Sequence, residues 1–293
     1  MTVKKGRRSV GTPGDRPLSG RAALITGGGR NIGRAISLGL ARAGANVMVN
    51  YLSRRTPAAE TAGQIEALGV KSEIVQADVS TPRGAARAAE ATVRKFGRLD
   101  ILVNNVGDFL YKPLLDVKPD EWRHIIQNNL DTVFLCSLCS LPHMKKRKWG
   151  RIINIGVAGC DTVRAFSNNT AYNVAKTGVL ILSKSLAKEV AGFGITVNVV
   201  APGLVEIEPG ARGAARRTSA RTGKGATARR GLDAFGGGSG AVSRRQFRRF
   251  EKQVPAGRAA TLVEIAEAVL FLASEESRYV TGSCITVSGG WLV

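Results

Sequence analysis

Ala22-Ala23-Leu24-Ile25-Thr26-Gly27-Gly28-Gly29-Arg30-Asn31-Ile32-Gly33 is the stretch from which the fold of this chain is read. Four apolar residues, a run of glycines and then an apolar-periodic segment over Ile32–Ala43 predict a buried strand turning sharply into a helix. Glycine permits positive φ and lets backbone N–H groups approach an anion closely, while the N-terminal end of the next helix attracts negative charge. Such a turn suits the pyrophosphate of a dinucleotide, with Gly27, Arg30, Asn31, Ile32 and Gly33 as its contacts.

Outward from the turn, apolar runs alternate with helical patterns. Strands are expected at Ala22–Thr26, Asn46–Tyr51, Ser72–Ala77, Ile101–Asn104, Arg151–Ile155, Thr196–Val200 and Cys284–Val287. Helices are expected at Ile32–Ala43, Ala58–Leu68, Arg83–Phe96, Asp120–Gln127, Leu130–Lys145, Tyr172–Val190 and Leu262–Leu272. Alternating β and α elements, with two helical stretches before the fifth strand, predict right-handed crossovers. The expected fold is therefore α/β: a single doubly wound, Rossmann-type, parallel seven-stranded sheet with helices on both faces.

A chain of 293 residues, 44% of them hydrophobic, can bury a full core as one domain. It contains no apolar run of the roughly 18 residues that a membrane helix requires. A soluble, cytoplasmic protein without a membrane partner is expected. The four cysteines are too few for a disulfide framework and read as reduced thiols; Cys136-x-x-Cys139 lies inside an apolar run and reads as packing, with no metal site.

The formal charge of +21 is concentrated. Residues 1–20 carry five basic and one acidic residue, and residues 206–252 carry twelve basic and four acidic residues, together more than half of the net charge. Residues 1–19 read as a disordered basic arm and 20–293 as the folded domain, with a Gly/Arg-rich insert at 206–252. Within that insert composition favours disorder for 210–243 and a short basic amphipathic helix for 244–253.

Charge near the turn bears on which dinucleotide binds. An NAD site offers a carboxylate to the ribose at the end of the second strand, whereas a 2′-phosphate calls for cations. The second strand here runs into Ser53-Arg54-Arg55, and Arg30 sits in the turn itself, so NADP(H) is the expected cofactor. Asp78 and Val79 after the third strand, and Asn105 and Gly107 after the fourth, fall on the same sheet edge. Further along, Tyr172 and Lys176 lie four residues apart, one helical turn, so that an ammonium stands beside a phenol whose ordinary pKa is about 10.

Taken together, the Thr26–Gly33 turn, Asp78-Val79, Asn104–Gly107, Asn129-Leu130, Tyr172/Lys176, Ala201-Pro202-Gly203 and the tail Val280-Thr281-Gly282…Val287-Ser288-Gly289-Gly290 resemble the short-chain dehydrogenase/reductase family. The resemblance spans residues 20–205 and 253–293. It implies that Tyr172 is the acid/base, that Lys176 binds the nicotinamide ribose and lowers the tyrosine pKa, and that Asn129 holds a water. It also implies that the Pro202-Gly203 turn lies by the nicotinamide, that Val205 is a further cofactor contact, and that the protein is a homotetramer. Ser183–Glu189 and Ile195–Gly203 resemble, at the subfamily level, the 3-oxoacyl-(acyl carrier protein) reductases. That likeness implies reduction of a carbonyl substrate, and the lid arginines Arg244, Arg245, Arg248 and Arg249 suit an acidic carrier protein.

The chain departs from the family pattern where a catalytic serine is expected. Thirteen residues before Tyr172 stands Gly159, and aligning the motif instead puts Gly156 there. Asp161, with Thr162 beside it, is the candidate to fill the role, an arrangement that resembles pteridine reductases. Asn31 stands where the family has a glycine and is the kind of residue that tolerates a left-handed conformation. Two alternatives follow: a pteridine-reductase-like enzyme, or a catalytically weak NADP(H)-binding protein with an anionic partner; nucleic acid is the less favoured partner.

Overall fold

β1 (Ala22–Ile25) lies near the middle of a seven-stranded sheet, flanked by β2 (Asn46–Tyr51) and β4 (Ile101–Asn104). With β3 (Ser72–Gln76), β5 (Gly150–Ile155), β6 (Ile195–Pro202) and β7 (Cys284–Val287) the order is β3-β2-β1-β4-β5-β6-β7, every pair parallel. The computed structural model describes residues 16–165, 167–207 and 244–292. The strand order reverses direction between β1 and β4. That switch opens a crevice at the carboxyl ends of the strands, where ligands of such sheets bind.

Both faces are covered, which is why β1, β4, β5 and β6 are buried along their whole length. On one face α1 (Asn31–Arg42), α2 (Arg55–Glu66) and α8 (Leu262–Ala273) pack Ile36, Leu40, Ile65, Ile265 and Val269 against the sheet. On the other, α3 (Pro82–Phe96), α5 (Thr132–Arg147) and α6 (Thr170–Val190) contribute Ala88, Cys136, Met144 and Leu186. α4 (Pro119–Ile126) precedes α5, and α7 (Arg244–Glu251) lies at the carboxyl end of the 206–252 insert.

Local chemistry fixes where helices begin and end. Thr81 caps α3, its hydroxyl accepting from the Gly84 N–H at 3.1 Å, and Pro82 occupies the first turn, where no N–H is needed. Thr261 and Glu264 form a reciprocal capping box on α8.

The expected elements all appear, most within one to three residues of their predicted ends. One difference is a π-helical turn, Gln127–Asp131, which joins α4 to α5 where the sequence suggested two separate helices. A second is at the amino end: Leu18 is 2% exposed within the core and its N–H donates to Ala43, so the folded chain reaches back into the arm expected at 1–19. Of the basic helix expected at 244–253, residues 244–251 are helical. The expectations for residues 1–15 and 210–243 fall outside the described residues.

Candidate functional site

The Thr26–Gly33 turn is held from three strands. The Gly27 N–H donates to Asn50 Oδ1 (3.3 Å), and the Asn50 amide in turn donates to the Ala77 carbonyl (3.0 Å). Thr26 Oγ1 accepts from the N–H groups of Asn105 (2.9 Å) and Val106 (3.1 Å), while Asn105 Nδ2 donates to the Thr26 carbonyl (3.0 Å). The ends of β1, β2, β3 and β4 are therefore laced into one rim. Gly33 is obligatory because a Cβ there would overlap the Gly27 carbonyl, closing the turn that packs α1 against it. Asn31 has φ +46°, the left-handed conformation that the sequence assigned to it.

This rim borders a cavity of about 560 Å³. At one end it is walled by Gly27, Arg30, Asn31, Ile32, Gly33 and Arg54. Asp78, Val79, Asn105 and Gly107 line its middle, and Asn129, Tyr172, Lys176, Pro202, Gly203 and Val205 its far end. The structure thus gathers every cofactor-site candidate into one cavity, together with three of the four catalytic candidates. Arg55, by contrast, is exposed and outside it.

Tyr172 and Lys176 are both buried on one face of α6, with the Lys176 ammonium 5.6 Å from the tyrosine ring centre. Lys176 Nζ donates to the Ile155 carbonyl at the end of β5 (2.7 Å), which fixes the side chain across the cavity floor. Phe109 meets the Tyr172 ring edge to face, 5.0 Å between centres.

Burial pushes the Tyr172 hydroxyl above its ordinary value, and the nearby Cys160 adds to this. Burial lowers Lys176 to about 8, against which Cys160 acts to raise it. Burial thus acts on both groups against their charged forms, the phenolate and the ammonium.

Asn129 owes its position to the π turn. Its Nδ2 donates to the carbonyls of Ile125 and Asp108, both at 2.9 Å, and Thr132 Oγ1 takes the Asn128 carbonyl at 2.9 Å. These side chains donate to carbonyls of the turn, of α4 and of the loop after β4, around the point where the Thr132 N–H reaches back five residues to Gln127. The remaining Asn129 Oδ1 is buried without a hydrogen-bond partner, as is Asn31 Oδ1 at the other end of the cavity. A Cβ on Gly107 would overlap Asn129 Oδ1 and lie 3.4 Å from Lys176 Nζ, so only glycine leaves this acceptor open. Two orphan acceptors, a glycine turn at the N-terminus of α1 and flanking guanidinium groups fit a dinucleotide.

Asp161 is not brought into the site. It is exposed and absent from the cavity wall, and Thr162 spends its hydroxyl on the Gly159 carbonyl (3.1 Å). Neither glycine picked out by counting marks the serine's place: a Cβ on Gly156 would strike Val199, and one on Gly159 points at Leu292. The side chain that reaches the cavity after β5 is Val157, in the same apolar cluster as Tyr172. Sequence reasoning also passed over Asn50, Asp108, Phe109 and His124. A polar residue after the apolar run Val47-Met48-Val49 of β2 was the one available signal, for Asn50.

A parallel sheet with an anion-binding turn at its first crossover, and a tyrosine–lysine pair opening on the same crevice, defines a Rossmann-type oxidoreductase. The chain belongs to the short chain dehydrogenase family, whose model matches residues 21–216, and a model described as enoyl-(acyl carrier protein) reductase matches 236–292. It is 37% identical to the 3-oxoacyl-[acyl-carrier-protein] reductase FabG of Escherichia coli K12 over 275 residues, 93% of this chain and 98% of the relative. The FabG of Staphylococcus aureus Mu50 is 35% identical over 92% of this chain and 97% of its own. Among solved structures, a putative short-chain alcohol dehydrogenase from Sinorhizobium meliloti superposes with a TM-score of 0.79 at 29% identity, covering 95% and 98% of the two chains. The acetoin dehydrogenase YohF of Salmonella typhimurium gives 0.74 at 31% identity, covering 93% and 97%. Among the described residues no helix is long and apolar enough to cross a membrane.

Proposed function

We propose that the protein is an NADP(H)-dependent reductase that converts the ketone of a 3-oxoacyl thioester, presented on an acidic carrier protein, to an alcohol. The observation that carries this reading is the burial of Tyr172 and Lys176 side by side at the far end of the cavity that begins at the glycine turn. The names of the FabG relatives, acting on acyl-carrier-protein substrates, supply the substrate class.

Bound NADPH supplies the hydride. Tyr172, held protonated by burial, is suited to give its proton to the substrate oxygen, which favours the reductive direction. Lys176 remains mostly charged at neutral pH and stabilises negative charge developing near that oxygen. Asn129 Oδ1 is placed to hold a water from which the proton is replaced. Arg30 and Arg54 at the other end of the cavity favour a 2′-phosphate.

α7 forms a roof piece over the substrate end. Phe247 and Phe250 pack onto the Tyr172 and Leu204 clusters, while Arg245, Arg248 and Arg249 face outward as a cationic surface for the carrier protein. The exposed Phe134 and Leu138 on α5, with Val174 and Ile181 on α6, are apolar surface that the expected homotetramer would cover.

The test is NADPH oxidation with acetoacetyl thioesters. We expect turnover with NADPH well above that with NADH, and a loss of at least about a thousandfold in Tyr172→Phe. Tight NADPH binding without turnover on any ketone would sink the reading.

A further inference from the structure

Beyond the cavity wall two thiols face one another. Cys160, in the turn after β5, and Cys284, the first residue of β7, have their sulfurs 4.0 Å apart, and both are free thiols. Strand register brings them together. Cys284 pairs with Val199 of β6, and the Cβ position of Gly156 points at both Val199 Cγ1 (2.7 Å) and the Cys160 sulfur (3.4 Å). Cys160 is 2% exposed within the cluster that holds Tyr172 and Val157, and Cys284 packs against that cluster half-buried. A disulfide needs the sulfurs to close to about 2.05 Å, roughly 2 Å of combined movement. The turn offers it, since Cys160 follows Gly159, which sits at φ +82°.

We propose that Cys160 and Cys284 are a site of reversible oxidative modification, closed to a disulfide by hydroperoxides. The Cys160 thiolate attacks one peroxide oxygen; the O–O bond breaks and the departing hydroxide leaves as water, giving a sulfenic acid. Cys284 then loses its proton and attacks the sulfenic sulfur, forming the S–S bond as the S–O bond breaks and the oxygen departs as a second water. Two thiols lose two electrons in all, and one hydrogen peroxide becomes two waters.

The surroundings select Cys160 as the attacking sulfur. Either sulfur can donate in the contact between them; with Cys284 as donor, that hydrogen bond and the Lys176 ammonium hold the Cys160 thiol below the ordinary range against its burial and the charge of Asp161. The same pairing pushes Cys284 up. Burial raises Cys136 to about 12, so the Cys136-x-x-Cys139 pair is a poor competitor.

Closing the bond draws the Gly156–Thr162 turn toward β7 and shifts Val157 away from its place in the cavity wall. Turnover should fall roughly tenfold, the scale on which sub-ångström misplacement of a reacting group acts. This consequence rests on the reductase reading, whereas the oxidation itself does not.

The experiment treats the full chain with hydrogen peroxide, alkylates remaining thiols and maps the digest by mass spectrometry. The expected result is a Cys160–Cys284-linked peptide that disappears with dithiothreitol, and a loss of ketone turnover that returns with it. In C284S the link is absent and dimedone traps a sulfenic acid on Cys160; in C160S peroxide leaves turnover unchanged. Unaltered alkylation of both thiols after peroxide, or linkage through Cys136 or Cys139 instead, overturns the site. Full turnover in the linked chain overturns the coupling to the cavity. A chain inactive before peroxide refutes the reductase reading while the linked peptide still decides this one.

Discussion

At the scale of single residues, Val157 is where this site differs most from what its family pattern implies. It presents methyl groups to the cavity beside Tyr172, where a hydroxyl would polarise a substrate carbonyl. Val157→Ser should raise kcat by roughly tenfold, part of the 10²–10³ that one well-placed donor contributes, at a cost of about 1 kcal/mol in stability from lost apolar burial. Asp161→Ala should leave kcat near the wild-type value, because the carboxylate is exposed outside the cavity. Steady-state kinetics on the two variants decides between them; a large loss in Asp161→Ala with no gain in Val157→Ser returns the role to the aspartate. The proposed role of Lys176 predicts a pH dependence. Lys176 is charged below about 8 and neutral above, so reduction should decline as pH rises through about 8, while Tyr172 stays protonated throughout. In Lys176→Arg that decline should vanish from the pH–rate profile, since guanidinium keeps its charge.

At the scale of elements, the proposed docking role of α7 predicts that recognition and chemistry can be separated. Its phenylalanines pack on the Tyr172 and Leu204 clusters and its arginines are exposed, so reversing the charge of Arg245, Arg248 and Arg249 together should leave that packing in place. KM for a carrier-bound 3-oxoacyl thioester should rise roughly tenfold, since each exposed pair contributes up to about 1 kcal/mol, and the effect should fade at high salt. An uncharged short thioester should keep its KM, and an equal rise for both substrates contradicts the docking role. The strands and most helices were legible in the sequence because buried parallel strands read as apolar runs and helices as periodic ones. So was the gathering of the candidate residues along one sheet edge, since a glycine turn and residues closing successive strands need only strand ends to be placed. The π turn was not legible: nothing in Gln127-Asn128-Asn129 distinguishes a side chain that serves a backbone carbonyl from one that faces water. Val157 was missed for a different reason. Counting back from Tyr172 crosses the segment between β5 and α6, whose length the fold does not fix, whereas counting forward from the end of β5 stays on rigid structure.

At the scale of the whole molecule, stability and function occupy opposite ends of the sheet. Behind the amino ends of the strands, the fully buried Asp100 accepts from Arg98 Nε and Nη2 at 2.5 and 2.8 Å and from the Ala22 N–H at 2.9 Å. Arg21, 3.9 Å from the same carboxylate, stacks on Trp149 at 3.6 Å, and the Trp149 indole N–H donates to Glu275 at 2.6 Å. Arg151, equally buried, lies over the same indole at 4.2 Å and donates to the Ser274 carbonyl at 3.3 Å. One polar network thereby ties β1, β4, β5 and the end of α8 together at the edge away from the cavity. Asp100→Ala removes the acceptor shared by two partly exposed guanidinium groups and the buried Ala22 N–H, and leaving that N–H unpaired costs about 1–3 kcal/mol. The urea midpoint should fall with an unchanged slope, because the surface exposed on unfolding is the same. Turnover per folded molecule should stay near wild type, because no residue of this network lines the cavity. A variant that loses activity while keeping its midpoint would contradict this division, and would mean that the Asp100 network reaches the Tyr172 end of the sheet through β4 and β5.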